Sequence, residues 1–400
     1  MIFEAQLADP TIEREHRLIH DCIDQAVYAE EMGFDRIWAV EHHALRWYSH
    51  MSAPEVFLSA VATRTSRIRI GHAAVCMPFN YNYPTRVAER AAMLDIISNG
   101  RLDLGAARGA TLQEMSLCNV DPERTRDEVG EALRVIGSAW QADTFEWHSD
   151  LLTISAPGTN PPHTILPRPV QSPHPPLYLA CSNIASVELA AAYGVGVLAL
   201  GFAGPASVRE QREAYDAARA ERSGDGFVST VVNDHFSALC PTIVLDDGRE
   251  AREVGARGQR FFGESISHWG FGADPPNEST EGEDNIAFMR SKKLDLEGRY
   301  ERGEFDHRGT TSFPLVRAVS KSNVTSQFNI DHAYGTAEEA VEYVRELEAV
   351  GVDEVMCLIQ MGTVPQEVCL ETIRQWGERV IPAFAGSRGG ISAVTGDERA

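Results

Sequence analysis

Apolar positions along the chain follow two rhythms. Short unbroken runs such as Ile37-Trp38-Ala39-Val40 lack polar alternation, the pattern of a strand covered on both faces. Between them lie longer stretches in which apolar side chains return every three or four residues, the period of a helix with one buried face. In residues 15–32 these are Ile19, Cys22, Ile23, Ala26 and Val27, and Gly33 supplies the stop. Runs within 2–7, 37–40, 68–75, 101–106, 177–180, 195–200, 231–245 and 354–359 predict eight strands. Helical periods near 15–32, 53–64, 84–98, 124–141, 205–222, 248–262, 336–350 and 366–383 fall between or after them, with one more helix starting after Ser182. Strand and helix in strict alternation predict a parallel sheet, and eight such units suit a closed (β/α)8 TIM barrel.

Two stretches break the rhythm. Residues 143–176 are rich in proline and histidine, and residues 263–334 are rich in Gly, Asp, Glu, Lys and Arg with little sustained apolar pattern. Neither supplies a core of its own, so both read as insertions in one barrel domain over 1–385, the second as a lid over the barrel mouth. The Gly- and Ser-rich residues 386–400 read as a flexible tail.

Composition narrows the function classes. A net charge of −22 repels nucleic acid and anionic membrane, so an anionic ligand has to be held by local groups. The seven cysteines show no CxxC pair and no metal-like spacing, which points to free buried thiols, a cytoplasmic protein and no metal site. The N-terminus lacks the charged and apolar regions of a signal peptide, and no apolar run has the length of a membrane span.

Parallel barrels carry their chemistry where the strands end. The strand ending at Val40 runs into Glu41-His42-His43. Neighbouring side chains on extended backbone point to opposite sides, so one histidine faces the mouth and the other packs behind it. A mouth-facing imidazole whose tautomer is fixed by a carboxylate suits proton transfer, and a pair of satisfied core histidines is the other reading. Arg108-Gly109-Ala110 after strand four, Arg126 on the apolar face of the helix that follows, and Ser182-Asn183 at a helix start are candidates for holding an anion. Each has a plainer alternative: a turn with a surface arginine, an arginine snorkelling to solvent, and a simple N-cap.

Several segments together resemble the bacterial luciferase-like flavin monooxygenases. They are Gly33 to His43, Thr65 to Val75, Glu89 to Leu94 with Asn99 to Gly105, Arg108-Gly109, Leu166 to Gln171, and Gly335 to Glu339. The resemblance implies a barrel that takes reduced FMN from a separate NAD(P)H-dependent reductase and reacts it with O2 to give a flavin C4a-hydroperoxide, which oxygenates a small organic substrate by hydroxylation, epoxidation or Baeyer–Villiger insertion. It places Glu41 and His42 beside the reacting ring, a strained peptide at Ala73-Ala74 beneath the flavin, and Arg108, Arg126 and Ser182 at the phosphate, with a homodimer paired through early helices. His43, Trp47, Tyr48, His50, Phe79, Tyr81 and Tyr83 are candidates for the walls. Two departures argue against light emission: Ala107 stands where luciferase has a reactive cysteine, and Cys181 where it has a glutamate before the serine. A deazaflavin-dependent oxidoreductase and a non-catalytic flavin-binding protein on the same fold are the alternative readings.

Overall fold

The computed structural model describes residues 1–202, 204–305 and 321–386. Its strands are β1 (Ile2–Phe3), β2 (Arg36–Ala39), β3 (Arg69–Cys76), β4 (Leu102–Ala107), β5 (Trp147–His148), β6 (Thr153–Ile154), β7 (Leu177–Cys181), β8 (Gly196–Ala199), β9 (Phe236–Val244), β10 (Ala333–Gly335) and β11 (Glu354–Leu358). Its helices are α1 (Ile12–Glu31), α2 (Pro54–Arg64), α3 (Pro84–Ile97), α4 (Leu112–Leu117), α5 (Thr125–Gln141), α6 (Ile184–Tyr193), α7 (Pro205–Glu221), α8 (Gly248–Phe271), α9 (Asn285–Glu301), α10 (Lys321–Thr325), α11 (Ala337–Val350) and α12 (Gln366–Gln375). All barrel pairings are parallel, in the order β1-β2-β3-β4-β7-β8-β9-β11, and β11 closes back on β1 through Ile2 and Leu358. This is the (β/α)8 barrel that the alternation predicts. β10 adds to the far end of β9.

Three segments differ from expectation. β1 ends at Phe3, because Ala5 takes a positive φ of 51° and turns the chain out of the ladder. Residues 143–176 include a small antiparallel hairpin, β5 with β6. Of the stretch 263–334, residues 306–320 lie outside the described residues, and the rest carries more structure than its composition suggests: α8 continues to Phe271, and α9 packs Met289 and Leu296 against Phe328 in a small core of its own. α9 escapes pattern reading because it buries only Asn285, Met289 and Leu296, too few positions to write a stripe. The expected tail falls almost wholly on 387–400, outside the described residues. No helix among the described residues is long and apolar enough to cross a membrane.

At the N-terminal end of the barrel, buried charges neutralise one another. Asp103 accepts both Arg69 Nε and Nη2 at 2.8 Å and pairs with Arg36 Nε at 2.8 Å. Glu354 takes Arg36, Trp38 Nε1 at 2.9 Å, His235 Nε2 at 3.0 Å and Ser237 Oγ at 3.0 Å. Burial alone would raise the Glu354 pKa, but Arg36 and the donors around it hold it well below the usual carboxylate range.

Candidate functional site

At the other end β2 delivers Glu41-His42-His43, and the two histidines part. His43 Nε2 meets Glu41 Oε1 at 3.0 Å and its ring stacks on Tyr81 at 5.7 Å. Glu41 also accepts the Cys76 amide at 2.9 Å and Asn82 Nδ2 at 2.8 Å. Both its oxygens are thus engaged by neighbouring residues, Oε1 by His43 and Asn82 and Oε2 by the Cys76 amide.

His42 takes the other direction. Its Nδ1 lies 2.9 Å from Glu114 Oε1, its Nε2 lies 3.9 Å from Glu4 Oε2, and its ring meets Tyr48 edge-on at 4.9 Å. Burial would lower the imidazole pKa, but Glu114, and then Glu4, raise it to about 9. The ring is therefore cationic at neutral pH, donates from Nδ1 to Glu114 and carries a second N–H at Nε2. The Glu4 pKa is raised as well: burial lifts it to about 7, against the pull of His42.

Sequence reasoning missed Glu114 and Glu4. Glu114 stands at the third position of α4, where Thr111 and Glu114 cap each other: Thr111 N and Oγ1 donate to Glu114 Oε2 at 2.9 and 3.0 Å, and Glu114 N donates to Thr111 Oγ1. That leaves Oε1 for His42 and for the His43 amide at 3.1 Å. The signal was present as Thr111-x-x-Glu114, the spacing of a capping box. Glu4 carries no such mark, since the bend at Ala5 that sets its place is invisible in the sequence.

The Ala73–Ala74 peptide is cis, and the pairing of β3 with β4 shifts register between His72 and Val75 around it. Gly105 of β4 faces this irregularity: a Cβ there would run into the His72 carbonyl.

The anion candidates converge only in part. Arg108 is half-buried and makes no hydrogen bond or ion pair among the described residues. Burial and the nearby charge of Arg126 lower its pKa, while Cys181 at the tip of β7 raises it. Arg126 is likewise without a partner but is exposed. It sits in the first turn of α5, beyond the core covered by Val129 and Leu133, so burial does not by itself demand an anion for it. Ser182 is exposed and is not the N-cap. Asn183 fills that place, accepting from Ser186 N at 3.0 Å, which engages its side chain. Gly109 has φ of 87° and lies under Tyr81, whose buried hydroxyl has no partner. Ala110 follows in the same half-buried loop.

The wall candidates divide as well. Tyr48 lies between His42 and Phe262, 5.4 Å from the latter. Trp47 donates to Glu278 at 2.6 Å and Trp269 donates to the Arg46 carbonyl at 2.7 Å, so the insertion after β9 straps the loop beside His42. Of the other candidates, His50 is held by the Ala5 carbonyl at 3.3 Å and by Glu15 of α1 at 3.4 Å; Phe79, like Tyr48, is half-buried against the main core; Tyr83 is exposed at the start of α3.

Comparison with known proteins accords with this geometry. The family model for luciferase-like monooxygenases matches residues 5–354. The oxygenase component of a flavin-dependent trigonelline monooxygenase from Acinetobacter baylyi is 26% identical, over 94% of this chain and 92% of that protein. The monooxygenase RslO1 from Streptomyces bottropensis superposes with a TM-score of 0.68 at 22% identity, covering 92% of this chain and 94% of that one. The FMN complex of the oxygenating constituent of 3,6-diketocamphane monooxygenase from Pseudomonas putida gives 0.65 at 17% identity, covering 96% and 97%. Proteins described as F420-dependent also match. With the family model matched over most of its length, the chain belongs to the luciferase-like monooxygenases.

Proposed function

We propose that this protein is the oxygenase of a two-component system, binding reduced FMN delivered by a separate NAD(P)H-dependent flavin reductase and using O2 to oxygenate a small organic substrate. The observation that carries the reading is the pair of arginines, Arg108 and Arg126, that feel each other's charge and have no ion-pair partner among the described residues. Two like charges left unpaired are matched by a dianionic phosphate, which restores the missing hydrogen bonds. Reduced FMN supplies two electrons to O2, so that one oxygen atom goes to the substrate and the other to water.

The chain's own residues then have distinct tasks. Arg108, Arg126, Ser182 and the Gly109-Ala110 backbone hold the phosphate, and the Ala73–Ala74 peptide supports the ring. His42, kept protonated by Glu114, holds a proton at Nε2, the atom on the side of Glu4. Tyr48, Phe262 and Phe202 form an apolar wall that excludes water. The exposed Val56 of α2 and Met93, Ile96 and Ile97 of α3 support the expected homodimer.

The test is a rapid-mixing experiment in which protein with reduced FMN, prepared anaerobically, meets oxygenated buffer. Return of oxidised-flavin absorbance at least tenfold slower than for free reduced FMN is the expected result, with faster flavin return in His42→Ala. Oxidation at the free rate, together with preferential binding of a deazaflavin, would move the assignment to an oxygen-independent hydride transfer.

A further inference from the structure

Glu4 is not used by the function proposed above. It is 8% exposed, and its Oε2 is buried with no hydrogen-bond partner. A buried acceptor left unpaired is costly, on the order of 1–3 kcal/mol, and such atoms in native proteins call for an explanation. The groups that face it are few: His42 from the loop after β2, Glu114 from α4 beyond it, and Tyr48 from the following loop. The donor in reach is His42 Nε2, and at 3.9 Å it is too far for a direct bond. One oxygen placed between them can accept from His42 Nε2–H and donate to Glu4 Oε2.

What lies beside that gap decides what the oxygen belongs to. Rings step away from it in sequence: Tyr48 against His42 at 4.9 Å, Phe262 against Tyr48 at 5.4 Å and Phe202 against Phe262 at 5.0 Å. A donor–acceptor pair at the foot of an aromatic wall matches a ring compound carrying a hydroxyl, its apolar body on the wall and its oxygen between the two side chains.

We propose that Glu4 is a specificity-determining residue: with His42 it seats the hydroxyl group of a phenol or ring alcohol, so that the site takes hydroxylated substrates in preference to their etherified or deoxygenated counterparts. This deepens the oxygenase reading and rests on it for the word substrate. The seat itself is defined without flavin chemistry. Burial raises the Glu4 pKa against the pull of His42, and a carboxylate oxygen left without a hydrogen bond is suited to accepting one from a hydroxyl. A site built to bond a hydroxyl rejects the analogue that lacks it more strongly than an apolar pocket rejects an added group, because its own polar atoms are then left unpaired.

The test is equilibrium binding of p-cresol, 4-methylanisole and toluene to the full chain, with and without oxidised FMN, in the natural protein and in the Glu4→Leu and Glu4→Gln variants. 4-Methylanisole keeps the acceptor oxygen and loses the donated hydrogen, so it isolates the bond to Glu4. The expected result is p-cresol at least tenfold tighter than 4-methylanisole, with the preference lost in Glu4→Leu and reduced in Glu4→Gln, while the circular dichroism of both variants is unchanged. Equal binding of the three probes, no binding of p-cresol in either flavin state, or a preference that survives in Glu4→Leu would overturn the proposal; equal binding is also what a resident water in the gap would produce. None of these outcomes depends on oxygen, so this result and that of the rapid-mixing experiment are read separately.

Discussion

The two ends of this barrel handle buried charge in opposite ways. At the N-terminal end Asp103 and Glu354 are ringed by Arg36, Arg69, Trp38, His235 and Ser237. At the C-terminal end, among the described residues, Glu4 has an oxygen without a hydrogen bond, His42 stands between two carboxylates, and Arg108 and Arg126 have no counter-ion. The difference teaches where a scaffold spends its polar groups. An end that only closes the barrel can pair each of its charges, whereas an end that receives ligands keeps some bonds unmade for the ligand to complete.

The largest effect is expected from breaking the closed end. Glu354→Ala leaves the buried Arg36 with Asp103 alone and takes the shared acceptor from Trp38, His235 and Ser237, and should destabilise the fold by about 3–5 kcal/mol, measured by urea unfolding. A loss below about 1 kcal/mol would mean that the network is a surface-like arrangement and the contrast between the ends is false.

Dependence on pH gives the contrast a sign. The lowered Glu354 contributes stability that is present above its ordinary value of 4.5 and lost as pH falls below it. The mouth behaves conversely. Glu4 is raised from 4.5 to about 7 and His42 from 6.5 to about 9, so their contributions are fully present below the ordinary values and disappear as pH rises through 7 and then 9. Unfolding free energy should therefore decline by roughly 1–3 kcal/mol between pH 6 and pH 9, with a smaller decline in Glu4→Gln. A flat profile over that interval would remove the electrostatic account of the mouth.

The smallest effect sharpens the phosphate assignment. Arg108→Ala removes a cation that has no partner, so stability should hold or rise slightly, while FMN affinity falls about tenfold, roughly 1.4 kcal/mol; flavin fluorescence and thermal unfolding read the two together. Loss of stability without loss of affinity would make Arg108 a structural residue.

Much of the barrel was legible from local pattern. Ile37 to Val40 has the solid apolar run of a strand buried on both faces, and Ile19, Cys22, Ile23 and Ala26 line the inward side of α1. These periodicities arise within a few residues, so sequence order is enough to show them. α4 was missed because a six-residue helix is too short to write a period, and only its cap announced it. Arg126 was placed on an apolar face by its spacing from Val129 and Leu133, yet a first-turn residue extends past the core and its side chain reaches solvent. Ser182 and Asn183 could each have capped α6, and the backbone assigned the role to Asn183.

The sequence by itself determined the eight-fold alternation, the histidine pair at the tip of β2 and the basic residues near the strand ends, because each is carried by neighbours in the chain. Tertiary structure decided which of these groups meet. Glu4, His42 and Glu114 lie 38 and 72 positions apart along the chain, and they come together only because parallel pairing sets β1 beside β2 and the fold brings α4 back to His42. The bend at Ala5 and the cap at Thr111 then fix which carboxylate is satisfied and which is left open. Pairing and its absence are properties of distance in space, and no local pattern encodes that distance.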